Sequence, residues 1–208
     1  MTLPPRPRQA LCFALLLVGG ALSRAAHATT VQVGGGVGAE FNAGADTLVE
    51  LEFDDGDTQE IKAGNGLSLF ALGGATFFDE YQHQLQTSLS LGVKFSTMQP
   101  TDNADLSFVR FPIELLGFYR SDDWHFRVGG GALLHVGNSL TGSGAASDID
   151  LEFDPAFGGI VQADFVFDEW FVGLRYTALR YQLSDADASV AANSLGVTLG
   201  YVYGFGAP

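Results

Sequence analysis

The segment FVRFPIELLGFY, residues 108–119, decides the fold. Its side chains alternate in polarity, so an extended chain places Val109 and Ile113 on one face and Arg110 and Glu114 on the other. Strict alternation of this kind is typical of a strand whose two faces meet different surroundings. The segment therefore predicts a β-strand.

Similar segments recur along the chain and give eight predicted strands. The other seven are residues 31–41, 67–77, 84–95, 124–136, 156–167, 170–181 and 194–205. The second strand, residues 67–77, alternates poorly because Phe70 and Leu72 fall on its polar face. Since the repeated period is two and helical periodicity is missing, the pattern predicts an all-β chain.

The breaks between these strands alternate in length. The short ones are residues 78–82, 121–123 and 168–169, and the long, polar ones are residues 44–66, 96–107, 138–154 and 183–193. Within the first long break, residues 48–53 and 58–62 are expected to pair as a projecting hairpin. Short turns at one end and long loops at the other are typical of an outer-membrane β-barrel.

Length and charge exclude several classes of protein. A chain of 208 residues suits a single domain. Its 24 acidic residues outnumber the 10 basic ones, so nothing in it could neutralise a run of nucleic-acid phosphates. The only cysteine, Cys12, lies in the N-terminal segment described next, so thiol catalysis is excluded for the rest of the chain.

The N-terminal segment, residues 1–28, is predicted to be a cleaved signal peptide. Arg6 and Arg8 precede the apolar run of residues 10–22, and the sequence AHA at residues 26–28 supplies a small-x-small cleavage site. The apolar run is shorter than the roughly 20 residues that a membrane-spanning helix needs. Residues 29–208 are then the barrel domain.

The chemistry of the two strand faces predicts their orientation. One face holds mostly Gly, Ser, Thr and Gln, which suits a crowded barrel interior better than a soluble surface. The other face is aliphatic and aromatic, so it would aggregate in water but is compatible with lipid. The pattern therefore favours a transmembrane barrel over a soluble lipocalin-like one. Aromatic girdles are expected at Phe41, Phe77, Phe95, Tyr119, Trp124, Phe167, Trp170, Tyr201 and Tyr203.

The chain resembles the small outer-membrane β-barrel proteins of the OmpA/OmpX type. The eight strands, the long breaks and the terminal run NSLGVTLGYVY, residues 193–203, carry this resemblance. The run is similar to the family's assembly signal, although residues 204–208 follow the final tyrosine, and Phe205 is expected to keep the outward parity. The resemblance implies an eight-stranded antiparallel up-and-down transmembrane β-barrel in the outer membrane of a Gram-negative cell. It also implies Sec-type export and contact with the barrel assembly machinery.

The polar face collects a set of charged residues that are expected to line the lumen. They are Glu40, Lys94, Arg110, Glu114, Arg127, Asp164 and Arg175. Because an unpaired buried charge is costly, these side chains are expected to pair and plug the barrel. A turn at residues 168–169 would set Asp164 opposite Gly173 and within diagonal reach of Arg175. A narrow pore is the alternative interpretation.

A second alternative is an enzyme that modifies outer-membrane lipid. Residues 135–138, HVGN, are similar to the His-x-Ser-Asn pattern of the lipid A deacylases of the PagL family, which are also eight-stranded barrels. His135 and Asn138 match that pattern, but Gly137 stands at the nucleophile position. Without a hydroxyl there is nothing for His135 to activate, so no catalytic residue is predicted.

The acidic loop segments are the last candidates for a site. Residues 54–57, and the group Asp148, Asp150, Glu152 and Asp154, could offer oxygen ligands to Ca²⁺ or Mg²⁺, but neither has EF-hand spacing. They are expected to be solvated, and no metal or cofactor is predicted. The expected role is structural or interactive: a monomer in contact with outer-membrane lipid and lipopolysaccharide, without enzymatic activity.

Overall fold

The computed structural model describes residues 30–52, 58–78, 83–101, 104–121, 125–144, 146, 148–184 and 187–205. The predicted signal peptide, the acidic run at residues 54–57 and Trp124 lie outside the described residues. In the part of the chain that is described, no helix is long and apolar enough to span a membrane.

The described chain is built from 13 strands. They are β1 (Thr30–Gly44), β2 (Thr47–Glu52), β3 (Thr58–Lys62), β4 (Gly66–Phe78), β5 (His83–Thr101), β6 (Ala104–Ser121), β7 (Phe126–Gly144), β8 (Asp150–Phe153), β9 (Ala156–Phe167), β10 (Trp170–Ala178), β11 (Arg180–Gln182), β12 (Ser189–Ala191) and β13 (Ser194–Tyr203).

Eight of these strands close into a barrel, which confirms the predicted fold class. Each pairs with its neighbours in the order β1-β4-β5-β6-β7-β9-β10-β13, and β13 returns to β1. All eight pairings are antiparallel. Closure gives every strand two partners, so the sheet has no edge whose backbone groups would be left unpaired in lipid.

Apolar side chains cover the outside of the barrel. Exposed Val33, Leu91, Leu174 and Leu195 show that this face runs around several strands, and the opposite face of each strand is buried in the lumen. We call the end that carries the short turns and both ends of the described chain the turn end, and the opposite end the loop end.

Exposed aromatic side chains mark both ends of this apolar surface. At the turn end they include Tyr119, Phe167, Trp170 and Tyr203, and at the loop end Phe41, Phe111, Phe157 and Tyr176. The last three of these were not among the predicted girdle residues. Two aromatic girdles flanking an apolar band are what a membrane-spanning barrel presents to its two interfaces.

Two of the predicted long loops are largely strand, so that expectation was wrong. Strand β5 continues to Thr101 and β6 begins at Ala104, while β7 continues to Gly144 and pairs there with β8. Beyond the membrane both faces of a strand can be polar, so the alternation disappears while the backbone ladder continues. The wall formed by β5, β6 and β7 therefore rises well above the aromatic girdle.

A folded cap lies at the loop end. The predicted hairpin is confirmed as β2 paired with β3, and a second small hairpin pairs β11 with β12. Apolar side chains from the cap and the tall wall share one core; they include Ile61, Ala63, Leu106, Phe108, Leu140, Phe153, Leu179 and Tyr181. The burial of these side chains stabilises the loops on top of the barrel.

A smaller apolar cluster fills the turn end. Val166, Phe171, Val202 and Phe205 are buried there, and Phe70 and Leu72 pack against them; we call these six residues the turn-end plug. The irregular second strand is thereby explained, since Phe70 and Leu72 face the lumen.

Phe205 was expected to point outward and instead is buried in the turn-end plug. Strand β13 ends at Tyr203, and Gly204 has a φ of +80°, a left-handed conformation that glycine adopts without strain. The chain therefore turns inward after Tyr203. The Phe205 carbonyl accepts a hydrogen bond from the Thr76 hydroxyl at 3.4 Å.

Candidate functional site

The candidate site is the set of charged side chains inside the barrel. Glu40, Lys94, Arg110, Glu114, Arg127, Asp164 and Arg175 all point into the lumen, and each is between 0% and 7% exposed. Six barrel strands supply them, so the side chains converge only when the barrel closes. Charges this deeply buried are stable only when they are paired and hydrogen-bonded.

Asp164 pairs with Arg127, which lies directly opposite it where β9 meets β7. The Arg127 Nε donates to Asp164 Oδ2 at 2.7 Å. The expected position of Asp164 opposite Gly173 is confirmed, but no direct bond from Arg175 to Asp164 is found. Gln162 stands between them: its amide donates to Asp164 Oδ1 at 2.7 Å, and its oxygen accepts from Arg175 Nε at 2.7 Å.

Arg175 links two carboxylates that come from opposite sides of the barrel. Its Nη1 donates to Glu40 Oε2 and to Glu114 Oε1, both at 2.9 Å. Glu114 also accepts a hydrogen bond from the Ser90 hydroxyl at 3.0 Å. One guanidinium therefore ties β10 to β1 and β6 across the lumen.

Arg127 fills the lumen as well as pairing with Asp164. Its guanidinium carbon lies 4.4 Å from the centre of the Phe118 ring and 4.5 Å from that of Phe171. Its Nη1 donates to Gln86 Oε1 at 2.9 Å. Stacking between two aromatic rings favours a guanidinium, which is planar and weakly hydrated.

Lys94 and Arg110 hydrogen-bond main-chain carbonyls of the cap. Lys94 Nζ donates to the Gly64 carbonyl at 3.0 Å. Arg110 donates to the carbonyls of Ala63 at 3.0 Å and Asn65 at 2.9 Å, and its guanidinium carbon lies 4.1 Å from the centre of the Phe108 ring. These two cations therefore tie the segment that follows β3 to the mouth of the barrel.

Described side chains lie in the lumen at three levels: the turn-end plug, the ion pairs and the apolar core of the cap. The cavity between the plug and the ion pairs has a volume of about 20 Å³ and is lined by Phe70, Glu114, Arg127, Arg175 and Phe205, among others. This volume admits about one water molecule.

His135 also faces the lumen, beneath the cap. It is 3% exposed, and its Nδ1 lies 2.5 Å from the hydroxyl of Tyr181 in the cap strand β11. Burial raises the pKa of Tyr181 to about 12, while the neighbouring Arg110 acts in the opposite direction. The phenol therefore stays protonated at neutral pH and can donate its proton to the imidazole.

Asn138 joins His135 inside the barrel because β7 contains a bulge. The register shifts by one residue at Gly137, which has a φ of +59°. The Asn138 amide donates to the Asp154 carbonyl at 2.9 Å. Neither His135 nor Asn138 faces the surface that lipid would cover.

The acidic residues of the cap were the candidates for a metal site. In the described part of the chain, no group of three or more His, Cys, Asp or Glu side chains comes together in a metal-binding arrangement. Asp148, Asp150, Glu152 and Asp154 are all exposed.

Sequence reasoning missed three features of the site. The first is a set of polar strand residues whose side chains hydrogen-bond the charged groups of the ion pairs: Gln86, Ser90 and Gln162. Phe118 and Phe171, which hold Arg127, follow the inward parity, and this parity was a signal that could have been used. Phe118 lies on β6, the strand next to that of Arg127, whereas Phe171 lies on β10, two strands away. The cap carbonyls that accept from Lys94 and Arg110 left no trace in the sequence, because every residue has a carbonyl.

Comparison with known proteins finds similarity at the level of structure only. No family model and no curated protein matches the chain. The Neisserial surface protein A is 10% identical, with 82% of this chain and 96% of that chain covered and a TM-score of 0.46. The attachment invasion locus protein Ail of Yersinia pestis is 10% identical, with 83% and 97% covered and a TM-score of 0.42. The outer membrane protein OprG of Pseudomonas aeruginosa is 12% identical, with 84% and 95% covered and a TM-score of 0.36.

The outer surface of the barrel indicates that the protein lies in a membrane. A closed sheet, an apolar outer face and two aromatic girdles are the requirements for a barrel to span a bilayer. The chain is a transmembrane β-barrel of the outer-membrane type.

Proposed function

We propose that this protein is a sealed structural barrel of the outer membrane that presents a folded, acidic cap for interactions at the cell surface. The observation that carries the proposal is the three-level filling of the lumen. A solute would have to displace the turn-end plug, the ion pairs around Arg175 and the apolar core of the cap in order to pass. No catalysis is proposed, because His135 is enclosed in the lumen and Gly137 offers no nucleophile.

The surface chemistry of the cap supports an interaction role. The exposed charged residues of the described cap are mostly acidic: Glu50, Asp105, Asp150, Glu152 and Asp187. Among the described cap residues, Arg180 is the one exposed cation, and Lys62 is only partly exposed. Direct contact with lipopolysaccharide phosphates would be repulsive, so divalent cations are proposed to bridge the two. The barrel is proposed to act as a monomer after its insertion by the barrel assembly machinery.

Conductance in planar bilayers tests the sealed lumen. The refolded mature chain is expected to give no channel steps. The double variant Arg127→Ala, Arg175→Ala is expected to give none either, because the turn-end plug and the apolar core of the cap remain in place; steps from this variant would mean that the ion pairs alone seal the lumen. Regular conductance steps from the wild-type chain would instead support the narrow pore.

A deletion strain tests the role in the envelope. Loss of the protein is expected to increase sensitivity to detergent, and the full chain is expected to restore resistance. A variant in which a short turn replaces residues 45–65 then separates the two parts of the proposal. If this variant restores detergent resistance, the barrel carries the role. If it does not restore resistance, the cap carries the role. Unchanged envelope sensitivity and unchanged surface binding in the deletion strain would contradict the proposal.

A further inference from the structure

Two buried cations face each other at the loop end of the lumen. Lys94 of β5 and Arg110 of β6 are directly paired in the register of the two strands. They are 6% and 0% exposed. Like charges at directly opposed positions repel each other, and burial removes the water that would screen them. This placement is unfavourable unless oxygen atoms of opposite charge compensate it.

The carboxylates of the lumen are bonded elsewhere. Asp164 pairs with Arg127, and Glu40 and Glu114 pair with Arg175. Within the described residues, neither Lys94 nor Arg110 hydrogen-bonds a carboxylate. The lumen therefore holds four basic side chains and three carboxylates, and Lys94 and Arg110 are the two basic side chains that bond no carboxylate among the described residues.

Three consecutive carbonyl oxygens take the place of an anion. Those of Ala63, Gly64 and Asn65 accept from the two cations at 2.9–3.0 Å. Several oxygens converging on a guanidinium and an ammonium reproduce the contacts that a phosphate or sulfate group makes with such a pair. Carbonyls carry only partial charge, however, and Arg110 Nε has no hydrogen-bond partner. The pair is therefore incompletely neutralised.

Glycine at residue 66 allows the cap to approach the pair this closely. A Cβ atom there would lie 2.9 Å from Arg110 Nη2 and 3.3 Å from Lys94 Cε. The same hairpin carries exposed Glu50 and Glu60. A hairpin with exposed acidic residues therefore covers Lys94 and Arg110, in the place where an anionic ligand would bind.

We propose that Lys94 and Arg110 form a binding site for a phosphate- or sulfate-type oxyanion, and that residues 63–65 occupy it in this structure as an internal substitute. A fully charged oxyanion adds the attraction between opposite charges to these hydrogen bonds, which a neutral carbonyl cannot supply. Binding of the anion displaces residues 63–65 and releases the root of the β2–β3 hairpin. Lys94 and Arg110 lie at the loop end of the lumen, beneath residues 63–65, so a ligand that displaces these residues comes from that side of the membrane.

Phosphate titration of the full mature chain in maltoside micelles tests the site. Inorganic phosphate is added against sodium chloride of equal ionic strength, and the amide NMR signals of residues 63–66 are followed. The wild-type chain is expected to show saturable shifts with phosphate and none with chloride. Lys94→Met is expected to weaken the apparent affinity about tenfold, since one charge-assisted contact is lost. Lys62→Met, which removes a partly exposed lysine of the same hairpin, is expected to match the wild type.

A second series of micelles separates a lipid headgroup from a soluble anion. Phosphatidic acid is added in place of phosphate, with diacylglycerol as its uncharged match. Shifts with phosphatidic acid assign a headgroup ligand, and shifts with phosphate alone assign a soluble one. If Lys94→Met does not refold, Arg110→Lys keeps the charge but loses the guanidinium fork, and it is expected to weaken binding as well. No response to either source, or an equal response in wild type and variant, would overturn the proposal.

Discussion

Arg127 and Asp164 lie directly opposite each other in strands β7 and β9, with Arg127 Nε donating to Asp164 Oδ2 at 2.7 Å. Replacing Asp164→Asn would leave a buried guanidinium without its counter-charge. We expect the free energy of unfolding to fall by about 3–5 kcal/mol, because removing one partner of a buried pair exposes the full desolvation cost of the other. Urea titration of the barrel refolded in lipid vesicles measures this loss.

The exposed ion pair of the cap supplies the control for this substitution. Lys62 and Glu60 lie 3.0 Å apart, and their side chains are 34% and 43% exposed, so water screens the pair. Glu60→Gln is therefore expected to leave the urea midpoint unchanged, since solvent-exposed pairs contribute little. Equal shifts for Asp164→Asn and Glu60→Gln would mean that the lumen pair does not stabilise the barrel.

The period-two pattern was sufficient to predict the eight strands and the face on which most of their side chains lie, whereas the closed barrel came from the resemblance to outer-membrane proteins. The pattern could not assign the ion pairs, because those depend on register between strands that are distant in sequence. The register pairs Arg127 with Asp164, although the bulge at Gly137 and the extra strand β8 lie between these two residues in the sequence. Alternation gives the face of a residue but not its depth in the barrel.

Phe205 shows a different limit of sequence reasoning. Parity placed it on the outer face, but one backbone angle at Gly204 reverses the direction of the chain. Glycine permits that angle without requiring it, so the sequence alone leaves both directions open. Here the apolar surface available inside the turn end favours the inward direction.

Phe205 is expected to stabilise the barrel through its contacts in the turn-end plug. Phe205→Ala should lower the free energy of unfolding by about 3 kcal/mol, because a large buried side chain is lost and a cavity remains. Phe205→Leu keeps most of the volume and should lose less than half as much. Urea titration of both variants in vesicles measures the difference, and equal unfolding midpoints for the two variants and the wild type would show that Phe205 does not stabilise the barrel.

Gly196 leaves room for two polar side chains of β1. A Cβ atom there would lie 2.6 Å from Asn42 Oδ1 and 2.7 Å from Glu40 Oε1. Gly196→Ala is therefore expected to cost about 1–3 kcal/mol of stability through overpacking. Gly73→Ala is the matched control, because Gly73 is exposed on the outer face and the nearest atom would be 3.8 Å away. If both alanine variants unfold at the same urea concentration, the lumen is less tightly packed than described.

The buried phenol of Tyr181 is expected to make the folding stability depend on pH in the alkaline range. Burial raises its pKa from 10.0 to about 12, so the folded barrel retains a proton that the unfolded chain releases. The free energy of unfolding should therefore fall as the pH rises from about 10 to about 12. Tyr181→Phe should remove this part of the decline, while Tyr176→Phe on the outer face should retain it. Urea midpoints measured across that pH range give the comparison, and identical profiles for the two variants would contradict the prediction.

The depth at which a charge is introduced on the outer face tests the membrane placement itself. Leu174 is exposed and lies midway between the ends of β10, whereas exposed Tyr203 lies in the girdle of the turn end. In lipid vesicles, Leu174→Arg should lower the free energy of unfolding by about 2–4 kcal/mol, because a guanidinium at the bilayer midplane loses its hydration. Tyr203→Arg should lower it by about 1 kcal/mol or less, because the new side chain stays near the interface. In water the two positions would be equivalent, since both are exposed. A large difference in urea midpoint between the two variants can therefore arise only if hydrocarbon covers Leu174, and equally small effects would mean that this face meets water.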